Sequence, residues 1–239
     1  LEECSLSAGV KKLRLAAQAA KGGNGKPGSA VAGIYGGMNK LSSALEAALR
    51  EAEVELHSDT LIVRIEADTP YELHSHTDQF TADRIVIATD GPTAVDLLAP
   101  LNEVFDQFRP PTGAGVALVS LVVDHEELDD NPRGTGALVS PLVKNIGAKA
   151  LTHASAKWDW VREDLQAQAP HRHFLRLSYG RISDSSAQLG FASADSDLVE
   201  AAIRDASEIL GIELRDEHVV DHSVVRWQGA LPFATIGHQ

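Results

Sequence analysis

Apolar residues recur three and four apart at Leu41, Ala44, Leu45, Ala48 and Leu49, a spacing that predicts an amphipathic helix. The paired Gly36 and Gly37 stand just before it, where a missing Cβ lets backbone come close to packed structure or to a ligand. Helical spacing also occurs at Leu6, Val10, Leu13 and Ala17, and at Leu198, Ala202, Ile203, Ala206, Ile209 and Leu210. It predicts helices over residues 1–21 and 198–210. Between them the pattern shortens to strand period, over residues 54–57, 61–66 and 71–75. Residues 84–89 contain the apolar run Ile-Val-Ile-Ala and predict a short buried strand. Asp90-Gly91-Pro92 ends it, and residues 93–98 can open a helix with Pro92 near its first turn. After a linker at 105–111, further strands are predicted over 115–124, 137–141, 149–158, 174–179 and 219–227. Several strands, one helix and a last strand predict an α+β fold with one face of its sheet covered.

Composition narrows the function classes. A chain of 239 residues can bury a sizeable core. The net charge of −13, from 34 acids against 21 bases, and the lack of Lys/Arg clusters exclude a nucleic-acid partner. Cys4 is the single cysteine, so neither a disulfide framework nor a cysteine metal site is expected, and a reducing cytoplasm fits. No window approaches 18 consecutive apolar residues. The first residue is Leu1, and the last stretch, VVRWQGALPFATIGHQ, carries Trp227 and Phe233 with no polar tail. Both ends are expected to be cuts within a longer chain.

The residues alone supply little chemistry. KGGNGKPGS reads as an exposed link, because a phosphate loop needs Gly-Lys-Ser/Thr and here Lys26 precedes Pro27. His74 and His76, and likewise His171 and His173, are two apart without a third ligand at a suggestive spacing. They are expected to be exposed strand histidines, with no metal. The run DHEELDD lacks calcium-loop spacing and is expected to be a solvated loop. No Gly-x-Ser-x-Gly elbow occurs, Cys4 has no paired histidine motif, and no catalytic residues are assigned.

Taken in order, several stretches resemble one family. GGMNKLSSALEAAL resembles a segment of the flavin-dependent amine oxidases, and ADRIVIATDGPTAVDLL resembles their strand-turn-helix. GTGALVSP, THASAKW, FLRLSYGR and VVRWQGALPFATIGH follow at the spacing of the porphyrinogen oxidases of that superfamily. The resemblance covers roughly residues 30–239. Arg226, Trp227, Ala230, Leu231, Pro232, Gly237 and His238 match its last motif, while Phe233 and Ala234 depart slightly.

The resemblance implies FAD as cofactor, molecular oxygen as oxidant and a tetrapyrrole, coproporphyrinogen III or protoporphyrinogen IX, as substrate. It implies a helical tail and linker over 1–28, part of a Rossmann-like FAD-binding domain over 29–100 and a mixed-sheet substrate domain over 101–239. Gly23, Gly25 and Gly28 have the bare Gly-x-Gly-x-x-Gly spacing but stand in the link with Pro27, not between a strand and a helix, so the dinucleotide-binding turn is expected to lie elsewhere and these residues alone to be inactive. Gly36, Gly37, Val63, Thr89 and Pro92 would lie at the cofactor. Asp90 stands where the family usually has proline. Val116, Leu118, Leu138, Leu151, His153 and Arg176 would line the substrate pocket. The family's chemistry is carried by its cofactor, so strong acid-base residues need not be present. Peripheral membrane contact would fall to a part outside these residues. Another flavin amine oxidase, a carotenoid desaturase or a non-catalytic binding module are the competing expectations; the first two lack the Arg-Trp-x-x-Ala-Leu-Pro segment.

Overall fold

The computed structural model describes residues 32–109, 113–181 and 188–231. The predicted helix over 1–21, Cys4, the glycine-rich link and the end of the last motif lie outside those residues. The chain divides into two units, Leu1–Leu56 and His57–Gln239.

In the first unit, Gly36 and Gly37 adopt φ of 82° and 101°, left-handed values natural to glycine. They lead into helix α1, Asn39–Glu51. Arg50 donates to the Glu46 carboxylate at 2.6 Å, one turn away. The predicted stripe is present, yet Leu41, Leu45 and Leu49 are all exposed. Residues 54–57 form no strand.

The second unit opens with a three-stranded antiparallel meander of β1 (Arg64–Glu66), β2 (Tyr71–His74) and β3 (Gln79–Ala82). Ile65, paired with Leu73, buries one face. Residues 84–89 form no strand, and Val86 is 91% exposed. The expected buried strand is therefore absent here: its apolar run has the composition, but no described segment supplies a ladder. Helix α2, Gly91–Leu98, begins where Pro92 predicts. The Asp90 carboxylate caps it, accepting from the Thr93 N–H at 3.1 Å and the Thr93 hydroxyl at 2.8 Å.

A five-stranded sheet follows, ordered β5-β6-β7-β4-β8. Its strands are β4 (Ala114–Asp124), β5 (Gly136–Leu138), β6 (Ala150–His153), β7 (Arg172–Tyr179) and β8 (Val219–Leu231), and every neighbour pair is antiparallel. The strand predicted over 149–158 stops at His153. Its small residues turn into helix α3, Ala154–Lys157, followed by α4, Asp159–Gln166. Helix α5, Asp195–Leu210, ends at Gly211 with φ of 73°, a left-handed cap.

Period two decides which residues meet that helix. Ala117, Val119, Leu121 and Val123 of β4, Leu175, Leu177 and Tyr179 of β7, and Leu151 of β6 all turn to one side. They pack with Leu198, Ala201, Ala202, Ala206, Ile209 and Leu210 of α5 into one core. Each fully buried leucine contributes about 2 kcal/mol. Asp205 sits inside this core. Its Oδ2 accepts from the Gly147 and Ala148 N–H groups at 3.0 and 2.8 Å and from the Tyr179 hydroxyl at 3.1 Å. Burial, with the Asp205 charge and hydrogen bond, pushes the Tyr179 phenol well above its ordinary pKa.

Candidate substrate face

The other residues of the same strands form the opposite face of the sheet. Directly paired residues of antiparallel strands point the same way, so the register assembles rows across the sheet. One row runs Leu138, Ala150, Ser178, Leu118, Val225, one residue from each strand. The next runs Gly136, Thr152, Arg176, Ser120, Ser223. Beyond the first row lie Val116 and its partner Trp227. Beyond the second lie Phe174, Val122 and Asp221, and then the pair Arg172 and Asp124.

The face is graded. At one end Arg172 grips the Asp124 carboxylate at 2.8 and 2.9 Å. The Arg172 hydrogen bonds hold that carboxyl below the usual range against the opposing effect of burial. At the other end stand exposed Trp227, Val225 and Leu138, the last 89% open. Arg176 lies between, with the hydroxyl residues Ser120 and Thr152 as its strand neighbours. A slab with an apolar end, a row of hydroxyls and Arg176 between its ends suits a large, mostly apolar ligand bearing an anionic group.

Of the residues that the resemblance points to, Val116, Leu118, Leu138 and Arg176 share this face. Leu151 and His153 do not. Both point to the helix-covered side, where Leu151 is 2% exposed and His153 fully buried. Strand parity is the reason: residues 150 and 152 face outward, so 151 and 153 cannot. Sequence reasoning passed over Thr152, Ser120, Ser178, Val225 and Trp227 as site residues. Alternation inside FLRLSY and ALVSLVV was the available signal, but only the register joins it across strands.

His153 instead belongs to a buried chain of hydrogen bonds. Its Nε2 lies 3.1 Å from His173 Nδ1, and His173 Nε2 lies 3.0 Å from Asp129 Oδ1. The other Asp129 oxygen meets exposed His171 at 2.5 Å. His173 is 2% exposed, against the expectation of an exposed histidine, whereas Asp129 is exposed. Desolvation raises the Asp129 carboxyl, but hydrogen bonds from His171 and His173 and their charges outweigh it, and the net shift is downward. Desolvation, with the His173 charge, pushes the His153 imidazole down to about 4. Ser155 Oγ is 3.3 Å from His173 Nδ1, which brings serine, histidine and aspartate together. That serine is fully buried and accepts the Phe174 N–H at 3.1 Å, so it cannot reach a substrate as a nucleophile.

Among the described residues, one group has the composition of a metal site: Glu66, Glu72 and His74 on the β1–β2 hairpin. His76 is not in it; the strand ends at His74, and the ligand atoms come from across the hairpin. Arg64 pairs with Glu66, and the Gln79 amide donates to Glu72 at 2.7 Å, so both carboxylates already have partners.

Gly36, Gly37, Val63, Thr89 and Pro92 fall in two units, the glycines in the first and the others in the second. Gly36-Gly37 present backbone without side chains ahead of a helix whose N-cap residue, Met38, makes no side-chain cap. Val63 and Thr89 are exposed, and Pro92 lies in the first turn of α2. The glycines, side-chain-free backbone ahead of a helix start, suit the approach of a flavin group.

No curated protein matches the sequence. Among solved structures, the chain is similar to a candidate protoporphyrinogen oxidase from Exiguobacterium sp. 255-15, with a TM-score of 0.68 and 23% identity over 86% of this chain and 42% of that one. It is also similar to cyclohexylamine oxidase from Brevibacterium oxydans, with a TM-score of 0.57 and 14% identity over 80% and 38% of the two chains. Reduced UDP-galactopyranose mutase gives a TM-score of 0.60 and 13% identity, over 84% and 41%. The chain thus spans about two fifths of the solved structures that it matches. Residues 4–238 match the flavin-containing amine oxidoreductase family. The order of its segments, its α+β fold and that match agree: the chain belongs to the flavin-containing amine oxidoreductases, a family whose cofactor is a flavin.

Proposed function

We propose that the protein of which these residues form a part oxidises a porphyrinogen to the porphyrin, with oxygen as the final acceptor, in the cytoplasm. The observation that carries this is the graded five-strand sheet face, apolar at one end, with Arg176 in its second row. A tetrapyrrole has that complement: a broad apolar ring with carboxylates at its rim. When bound, FAD supplies the hydride acceptor, and oxygen takes up the electrons to give hydrogen peroxide. Gly36 and Gly37 would admit the cofactor close to the backbone; Val63, Thr89 and Pro92, in the second unit, are separate candidates for cofactor contact. Leu118, Leu138 and Val116 would exclude water from one side of the ring, and Arg176 would orient it through a charge-assisted hydrogen bond.

The test is porphyrin fluorescence from the full-length flavoprotein incubated separately with coproporphyrinogen III and protoporphyrinogen IX. Appearance of porphyrin supports the proposal, and the faster substrate identifies the physiological one. Silence with both sinks it and leaves another amine-oxidase chemistry. In the same assay Arg176→Ala is expected to raise KM about tenfold or more; an unchanged KM removes Arg176 from the site.

A further inference from the structure

We infer that Trp227 is the residue on which the substrate ring stacks, a role resting on the porphyrinogen reading above. Its strand is held in place from behind. Arg226 points to the helix-covered side, where its Nε donates to Phe191 O at 2.8 Å and its Nη2 to Ser193 O at 2.6 Å, with Asp195 Oδ1 also at 2.6 Å. These three contacts fix β8 next to Trp227, although β8 lies at the edge of the sheet. The indole, one residue on, must therefore project from the opposite face, opposite Val116.

The chain then leaves regular pairing. Between the pairs Val116↔Trp227 and Ala114↔Leu231, β8 runs four residues while β4 runs two. Gly229, with φ of 61°, lies in that bulge. The Arg-Trp-x-Gly sequence is thus an anchor, a presented ring and a break. Despite this fixing, the indole is 57% exposed.

Its position suits the proposed occupant. From Val116 to Ser120 is four residues along β4, and Arg176 and Trp227 lie on the strands either side. Strand geometry puts their Cα atoms about 17 Å apart, the scale of a tetrapyrrole with one carboxylate arm extended. Val116, Leu118 and Val225 lie within that span on the same face. A ring stacked at Trp227 can send a carboxylate toward Arg176, and the charge at that end matches.

The experiment uses the full-length flavoprotein with Trp227→Ala and Trp227→Phe. Trp227→Ala is expected to raise KM for the porphyrinogen about tenfold with kcat within about twofold, and Trp227→Phe to stay within about threefold of the parent. Flavin content and Tm should be unchanged in both. An unchanged KM in Trp227→Ala overturns the inference, and so does a loss that Trp227→Phe shares in full. If Trp227→Ala does not fold, quenching by bound coproporphyrin III decides, read as parent minus Trp227→Phe; its absence overturns the inference. A parent protein inert toward both porphyrinogens sinks the functional reading instead, and the quenching difference still reports whether a porphyrin contacts Trp227.

Discussion

Asp205 is cut off from water, and three donors converge on one of its oxygens: the Gly147 and Ala148 N–H groups and the Tyr179 hydroxyl. Removing the carboxylate leaves those donors buried without a partner, which costs more than a carboxylate–amide bond is worth in water. Asp205→Ala is therefore expected to lower stability by about 3 kcal/mol, and Asp205→Asn, which keeps an acceptor, by less. The midpoint of urea unfolding measures both, and equal losses would show that the acceptor oxygen is not what matters. Nothing in the sequence marked this residue. In the helical stripe Asp205 is one polar position between Ile203 and Ala206, and its partners lie 26 and more residues away. His153 was misplaced for a related reason: its motif suggested a pocket, but one position of strand parity sends it to the other side.

Elements were more legible than contacts, because each is written in its own period. Helix α5 and strands β4 and β7 fall close to their predicted bounds, since long apolar periodicities leave few alternatives. Helix α4 escaped the pattern because DWVREDLQ is barely two turns long, with only Trp160, Val161 and Leu165 to mark its apolar side. The glycines at element ends separate two physical roles. Gly211 caps α5 with φ of 73°, and a Cβ there would meet nothing. Gly211→Ala therefore costs only the left-handed backbone, about 1 kcal/mol. Gly136, with φ of 133°, lies so close to the Leu151 carbonyl that a Cβ has no room. Gly136→Ala should cost more and free β5 from β6, read as lost amide protection at the Gly136–Thr152 pairing. Equal melting of the two variants would refute this distinction.

For the molecule as a whole, the buried histidines set the response to acid. The unfolded chain binds a proton at His153 near pH 6.5, while the folded chain resists until about pH 4; His173 is also lowered, chiefly by burial. Protons thus favour the unfolded state. The stability linked to His153 is complete above pH 6.5 and is lost as pH falls from there toward 4. The loss between pH 7 and pH 5 is about 2 kcal/mol from His153. His153→Phe should flatten that part of the curve in urea titrations, and an unchanged slope would show that the group does not titrate as its surroundings demand. The α+β class and the family were legible from segment order alone, whereas the candidate substrate face was not, because its rows form only where five separated strands come into register. That same alternation has an evolutionary reading. Outward residues can drift while their inward neighbours keep the helix seated, so a lineage can acquire a new ligand without renegotiating its fold. An amine oxidase and a sugar mutase share this architecture at 14% and 13% identity: the fold stays where most of the sequence does not.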